Sequence, residues 1–182
     1  MPKMLTHLAL LRGINVGGKN VLPMKDLAQM FSSAGCSNVR TYIQSGNVIF
    51  ETRGSAPKIA AAITTEIEKH FGYRVPLVLR TSEQLLKTVR GNPFLPKVAD
   101  QRWLHVYFLA HPPNAAAIAA LDPARSAPDA FHVIGQEIYL HVPNGMGRTK
   151  LTNAYFDSKL STTTTARNWA TVLKLSEMME AR

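Results

Sequence analysis

The chain has 182 residues, 46% of them hydrophobic, and a net charge of +9 at pH 7. That length holds one domain or two small ones, and the apolar share excludes a disordered or fibrous chain. One cysteine, Cys36, excludes an intrachain disulfide, and no apolar run approaches the ~18 residues of a membrane span.

Leu5 to Leu11 is an apolar run rich in strand formers, followed by the glycine-rich basic loop Arg12-Gly13-Ile14-Asn15-Val16-Gly17-Gly18-Lys19-Asn20. Met24, Leu27, Met30, Phe31 and Ala34 then recur at helical spacing until Gly35. Asn38 to Ile43 and Asn47 to Glu51 flank Gln44-Ser45-Gly46-Asn47, which reads as a tight hairpin. With Ser45-Gly46 as the turn, Ile43 faces Val48, Tyr42 faces Ile49, Thr41 faces Phe50 and Arg40 faces Glu51. Val39, Ile43, Val48 and Phe50 then form the core side. Ser55 is placed to cap a helix with Pro57 in its first turn, Ile59, Ile63, Ile67 and Phe71 form its stripe, and Gly72 ends it. Val75 to Arg80 is a fourth strand, so the order β-α-β-β-α-β matches the ferredoxin-like motif. A helix from Ser82 to Arg90 and the breaker Gly91-Asn92-Pro93-Phe94 make a linker.

The second half repeats much of this pattern. Trp103 to Leu109 is a strand, and an alanine-rich helix runs from about Asn114 to Leu121. Phe131 to Ile134 pairs with Glu137 to Val142 around Gly135-Gln136, with Val133 facing Ile138 and Phe131 facing Leu140. The loop Asn144-Gly145-Met146-Gly147-Arg148-Thr149-Lys150 leads to a short helix near Thr152 to Lys159. After Thr162 to Thr165, a last helix from Ala166 to about Ala181 carries Trp169, Val172, Leu173, Ser176 and Met179 along one stripe. The expected fold class is α+β, a tandem duplication of ferredoxin-like βαββαβ units with the second incomplete or modified. Residues 1–81 form the first half, 82–98 a helical linker, and 99–182 the second half with C-terminal helices.

In the first loop, glycines permit positive φ and let successive N–H groups converge, while Arg12 and Lys19 add charge. The loop is therefore either an anion site or a structural turn. Gly13, Gly18 and Lys19 match the spacing G-x4-G-K of phosphate-binding loops, but Asn20 stands where a metal-binding hydroxyl belongs and Pro23 delays the helix. A nucleotide-hydrolysing loop is disfavoured. Candidate ligand-binding residues are Arg12, Gly13, Asn15, Gly17, Gly18, Lys19 and Asn20 in this loop, with Lys25 beyond it. Ser45, Gly46 and Asn47 in the hairpin turn join them. Arg148 and Lys150 belong to the second basic loop, and Arg167 and Asn168 to a helix start that can bind an anion or merely be capped.

Trp103, His105 and Tyr107 alternate onto one strand face, and His132, Tyr139 and His141 onto one hairpin face. A shared aromatic face would suit stacking of RNA bases; alternatively, the open faces of the two halves bury one another. No cysteine or carboxylate stands near these histidines at ligand spacing, so no metal or cofactor is expected. Ser45 lies in a hairpin rather than a strand-to-helix elbow, and no carboxylate pair is placed for acid–base work. No catalytic residue is assigned.

The strings LRGINVGGKN (11–20), TYIQSGNVIF (41–50), NPF (92–94) and ARNWATVLKL (166–175) resemble the domain-of-unknown-function family 1697 across nearly the whole chain. The resemblance implies an α+β fold of two ferredoxin-like halves and no known activity. Four threonines before Arg-Asn-Trp depart from the pair usual in that family.

Residues 1–91 hold 12 Lys and Arg against 5 Asp and Glu, and residues 92–182 hold 9 against 7, so the basic excess lies in the first half. A non-catalytic module for a polyanion, nucleic acid first, is the leading expectation. An enzyme or sensor for a phosphorylated metabolite and a scaffold without ligand are the alternatives. A cytoplasmic protein without membrane contact is expected, of undetermined oligomeric state.

Overall fold

The computed structural model describes residues 3–181. Two compact units emerge: one ends at Leu85 and takes in the chain from Leu175 onward, the other is Leu86–Lys174. The architecture is α+β, with a four-stranded antiparallel sheet in each unit.

The first unit runs β1 (Leu5–Leu11), α1 (Met24–Ser33), β2 (Ser37–Tyr42), β3 (Asn47–Thr52), α2 (Ala56–Phe71), β4 (Leu77–Thr81) and the start of α3 (Ser82–Arg90). Its strand order is β2-β3-β1-β4. Alternation turns Ala9, Leu11, Val48 and Phe50 toward α1 and α2, where they meet Leu27, Phe31, Ile63 and Ile67. The rings of Phe31 and Phe50 lie 4.9 Å apart between centroids. Full burial of each such side chain contributes roughly 1.5–3 kcal/mol. Gly72 ends α2 at φ 77°, its N–H bonding the Glu68 carbonyl at 2.9 Å, a conformation a side chain would strain. Ser55 stands at the N-cap of α2, as its position suggests, but its side chain makes no capping bond.

The first hairpin departs from its expected register by two residues. Tyr42 pairs with Asn47, Thr41 with Val48 and Arg40 with Ile49, followed by an irregularity before Ser37–Glu51. Arg40 therefore does not face Glu51; Asn38 Nδ2 donates to Glu51 Oε2 at 2.8 Å instead. The loop is longer than two residues because Ile43 leaves the strand at φ 47° and Gly46 adopts φ 81°. A slip of two preserves the faces, so Val39, Val48 and Phe50 still join the core, whereas Ile43 is 48% exposed.

The second unit runs from the end of α3 through β5 (Leu104–Leu109), α4 (Ala115–Ala119), β6 (Ala130–Ile134), β7 (Glu137–His141), α5 (Asn153–Leu160), β8 (Thr164–Asn168) and into α6 (Trp169–Glu180). Its strand order is β6-β7-β5-β8, and its hairpin has the expected register, with Val133 opposite Ile138 and Phe131 opposite Leu140. Phe156 of α5 anchors the helix side against Tyr107, Phe131 and Tyr155, with ring centroids 5.2–5.6 Å apart.

The last helix starts later than its sequence suggests. Thr164 to Asn168 form β8 beside β5, since β-branched threonines favour the extended chain, and α6 begins only at Trp169. Asp157 Oδ1 fixes the start of β8 by accepting from both the amide and the hydroxyl of Thr164, at 2.8 and 2.7 Å. The second sheet is therefore complete. Along α6, Leu175 is buried where Leu173 was expected, and Leu173 is exposed.

Candidate functional site

The loop after β1 is a small hairpin of its own. Val16 and Lys19 bridge antiparallel around Gly17 (φ 56°) and Gly18 (φ 74°), with Lys19 N–H bonding the Val16 carbonyl at 3.0 Å. Positive φ at both central residues is the type I′ turn, which matches the right-handed twist of a strand pair. Gly13 (φ 73°), Asn15 (φ 54°) and Asn20 (φ 50°) bend the chain on either side.

The asparagines hold the hairpin from inside. Asn15 Nδ2 donates to the Leu22 carbonyl at 2.9 Å and to the Gln44 carbonyl at 2.8 Å, and its Oδ1 accepts from Leu22 N–H at 2.8 Å. Asn20 Nδ2 donates to the Gly13 carbonyl at 2.9 Å. These side chains satisfy backbone groups rather than wait for a ligand, as asparagines in turns commonly do. Helix α1 begins at Met24, well beyond Lys19, so the loop does not run into a helix as a phosphate-binding loop does.

The finger and the β2–β3 turn come together as a single element. Leu11 N–H bonds the Gly46 carbonyl at 2.8 Å, and Gly46 lies so close that a Cβ there would stand 2.7 Å from Leu11 Cβ and 2.9 Å from Ile14 Cδ1. Asn47 is fully buried and donates to the Tyr42 carbonyl at 3.0 Å and to Ser45 Oγ at 2.9 Å. Thus Asn15, Asn20 and Asn47 are structural, while Arg12, Lys19 and Ser45 remain on the outer surface, half-buried or exposed. Lys19 and Lys25 are exposed and make no ion pair among the described residues.

Sequence reasoning missed several members. Ile14 and Leu22 are buried beneath the finger, Pro76 accepts from Arg12 N–H at 3.0 Å, and Tyr73 donates its hydroxyl to the Val21 carbonyl at 2.8 Å. Burial raises the Tyr73 phenol above its ordinary pKa, keeping it a donor. Val16 and Val21, at 64% and 58% exposure, make the finger partly apolar outside. Alternation of buried Ile14 and Leu22 with exposed valines was the available signal.

The second basic loop has a different setting. Lys150 N–H bonds Ser126 Oγ at 2.9 Å, and its carbonyl accepts from Arg125 Nε at 3.0 Å. Arg148 is exposed at a turn closed by its own N–H to the Gly145 carbonyl, 3.2 Å away. This loop follows the third strand of its unit, whereas the first follows the first strand, so their topological places differ. Arg167 is buried on β8, its Nη1 bonding Thr165 Oγ1 at 2.9 Å and the Ala166 carbonyl at 2.8 Å, and burial lowers its pKa to about 10. Asn168 Oδ1 caps α6 by accepting from Thr171 N–H at 2.8 Å.

The two aromatic strand faces are not shared. Register pairs Tyr139 with Val106 and Tyr107 with Ile138, so His105 and Tyr107 point to the opposite side from Tyr139 and His141. Tyr139 is buried and donates to the Thr88 carbonyl at 3.0 Å, while Phe94 covers His132 and His141 at ring-centroid distances of 5.2 and 6.0 Å. Residues Thr88 to Phe94 thus occupy the face on which bases would stack. Among the described residues no three His, Cys, Asp or Glu gather as a metal site, and no helix is long and apolar enough to cross a membrane.

A bacterial structure, "conserved bacterial protein SP0830 from Streptococcus pneumoniae", shares this fold at a TM-score of 0.76 and 22% identity, covering 98% of this chain and 100% of its own. No curated protein matches the sequence. A sequence profile described as "Protein of unknown function (DUF1697)" matches residues 4–139, and the chain belongs to that family.

Proposed function

We propose that the protein is a non-catalytic binding module that takes a polyanion, nucleic acid first, on the finger Arg12 to Val21 and the adjoining turn Gln44 to Asn47. The observation carrying this reading is the division of labour in the finger: inward asparagines fix its shape, and exposed Lys19 and Lys25 have no carboxylate partner among the described residues. A pre-shaped cationic element loses little entropy on binding and meets phosphates by charge. The basic excess of residues 1–91 supports the same choice. The matching element and strand orders of the two sheets further support a duplicated ferredoxin-like unit, and buried, reduced Cys36 suits a cytoplasmic setting.

Titration of labelled single- and double-stranded RNA and DNA at two salt concentrations tests the reading. Affinity falls steeply with salt, and Lys19→Ala weakens it while shifting stability by less than about 0.5 kcal/mol, as for an exposed charge. Absence of binding to every probe at low salt overturns it. Saturable stabilisation by a nucleotide or sugar phosphate in a thermal-shift screen would favour the metabolite alternative.

A further inference from the structure

We propose that a groove on the first unit, away from the finger, binds a small zwitterion, an amino acid or short peptide, with Arg40 holding its carboxylate and Glu51 its ammonium group. Two cavities of about 710 and 560 Å³ share Arg40, Glu51 and Ala181. Among the described residues Arg40 Nε is buried without a hydrogen-bond partner, and Nη1 donates to the Ala181 carbonyl at 3.5 Å, the outer limit of such a bond. A guanidinium left this poorly matched is destabilising unless a group from solution meets it.

Glu51 does not neutralise it. Arg40 pairs with Ile49 in the sheet, so Glu51 lies further along β3 and not directly opposite. Asn38 Nδ2 holds Glu51 Oε2 at 2.8 Å, and no ion pair joins the two among the described residues. Among the described residues Arg40 is the one cation of a groove that Glu83 and Glu180 line together with Glu51, and the separated Arg40 and Glu51 match the two ends of an amino acid. Met4 and Leu5, 39% and 49% exposed, line the larger cavity with Met179 and offer a wall for an aliphatic side chain. The register that pairs Tyr42 with Asn47 is what sets Glu51 out of line with Arg40, and the irregularity beside Asn38 (φ 49°) then pairs Glu51 with Ser37.

The test follows methionine methyl signals of the intact chain during titration with L-leucine, with leucylglycine, and with the two halves of leucine, 4-methylpentanoate and 3-methylbutylamine. Leucine or the dipeptide shifts Met4 and Met179 saturably and leaves Met24 and Met30 in place, while each half binds at least tenfold more weakly. Arg40→Gln and Glu51→Gln each weaken binding tenfold or more, with unchanged Met24 and Met30 signals reporting an intact fold. No saturable shift up to about 10 mM, beyond the millimolar range of weak specific ligands, overturns the proposal. So does equal binding of 4-methylpentanoate, which would make the groove a plain anion site, or unchanged affinity in either folded variant.

Discussion

The two units have the same element order and the same strand order, yet they elaborate different connections. In the first, the link from β1 to α1 runs from Arg12 to Pro23 and forms the finger; its counterpart in the second, Ala110 to Asn114, is a short proline-containing bridge. The second unit instead expands the link from β7 to α5, Val142 to Thr152, where the first has only Arg53 to Ser55. Equivalent bonds anchor both frames: Leu11 N–H to Gly46 carbonyl at 2.8 Å corresponds to Leu109 N–H to Gln136 carbonyl at 2.9 Å. Arg12 N–H to the Pro76 carbonyl likewise corresponds to Ala110 N–H to the Thr163 carbonyl, at 3.0 and 2.9 Å. A common frame therefore tolerates insertion at either end of its sheet.

The two units differ most at their turn glycines. Gly46→Val drives a Cβ to 2.7 Å from Leu11 Cβ at φ 81° and is expected to destabilise by at least about 3 kcal/mol. Gly135→Val meets nothing closer than Glu137 Oε2 at 4.0 Å and carries only the strain of φ 61°, about 1–2 kcal/mol. Equal losses in urea unfolding would refute the claim that only the first turn is wedged beneath its loop.

Asn15→Ala comes next, because it strips three backbone partners at once; a loss of about 2–3 kcal/mol is expected. Asn114→Ala, at the corresponding link, removes one cap to Ala117 N–H and costs about 1 kcal/mol. Denaturation midpoints of the two variants, compared at constant m-value, decide whether the finger is braced more strongly than its counterpart. Tyr139→Phe should then cost about 1 kcal/mol, the loss of its bond to Thr88, with faster amide exchange across β7.

The smallest expected effect concerns His7 and His105, which hold equivalent places on β1 and β5, four residues before Leu11 and Leu109. Burial lowers both pKa values in the folded state. The unfolded chain then takes up protons first, so their contribution is intact above about pH 6.5 and is lost as pH falls below it. Unfolding midpoints measured from about pH 7.5 to about pH 5 should decline less in His7→Gln and in His105→Gln than in the parent. A decline unaltered in both variants would assign the acid sensitivity elsewhere.

Much of the frame was legible because its signals are local. The Gly135-Gln136 hairpin came out in register, since the turn has two residues and the flanks alternate cleanly. The first hairpin slipped because a β-branched residue, Ile43, takes a left-handed conformation that no local rule assigns to it. β8 was hidden by threonines that read equally as helix caps; their β-branching was the better guide. At the site, cations and glycines were visible as a loop, but the inward use of Asn15, Asn20 and Asn47 depends on partners seven or more residues away for the first two and on burial for the third. Such long-range satisfaction of backbone groups leaves no periodic trace.

The inward bracing of the finger has a consequence for how this protein can diverge. Residues that set its shape, Asn15, Asn20, Ile14 and Leu22, are distinct from those that face out, Val16, Lys19 and Val21. Exchanging the outer set alters charge and contact chemistry at little risk to folding, because exposed positions away from caps and cores shift stability by only about 0.5 kcal/mol. Relatives could therefore acquire different partners by drift at a few solvent-facing positions while retaining one conformation, and the same division makes the finger a ready graft site for engineered recognition.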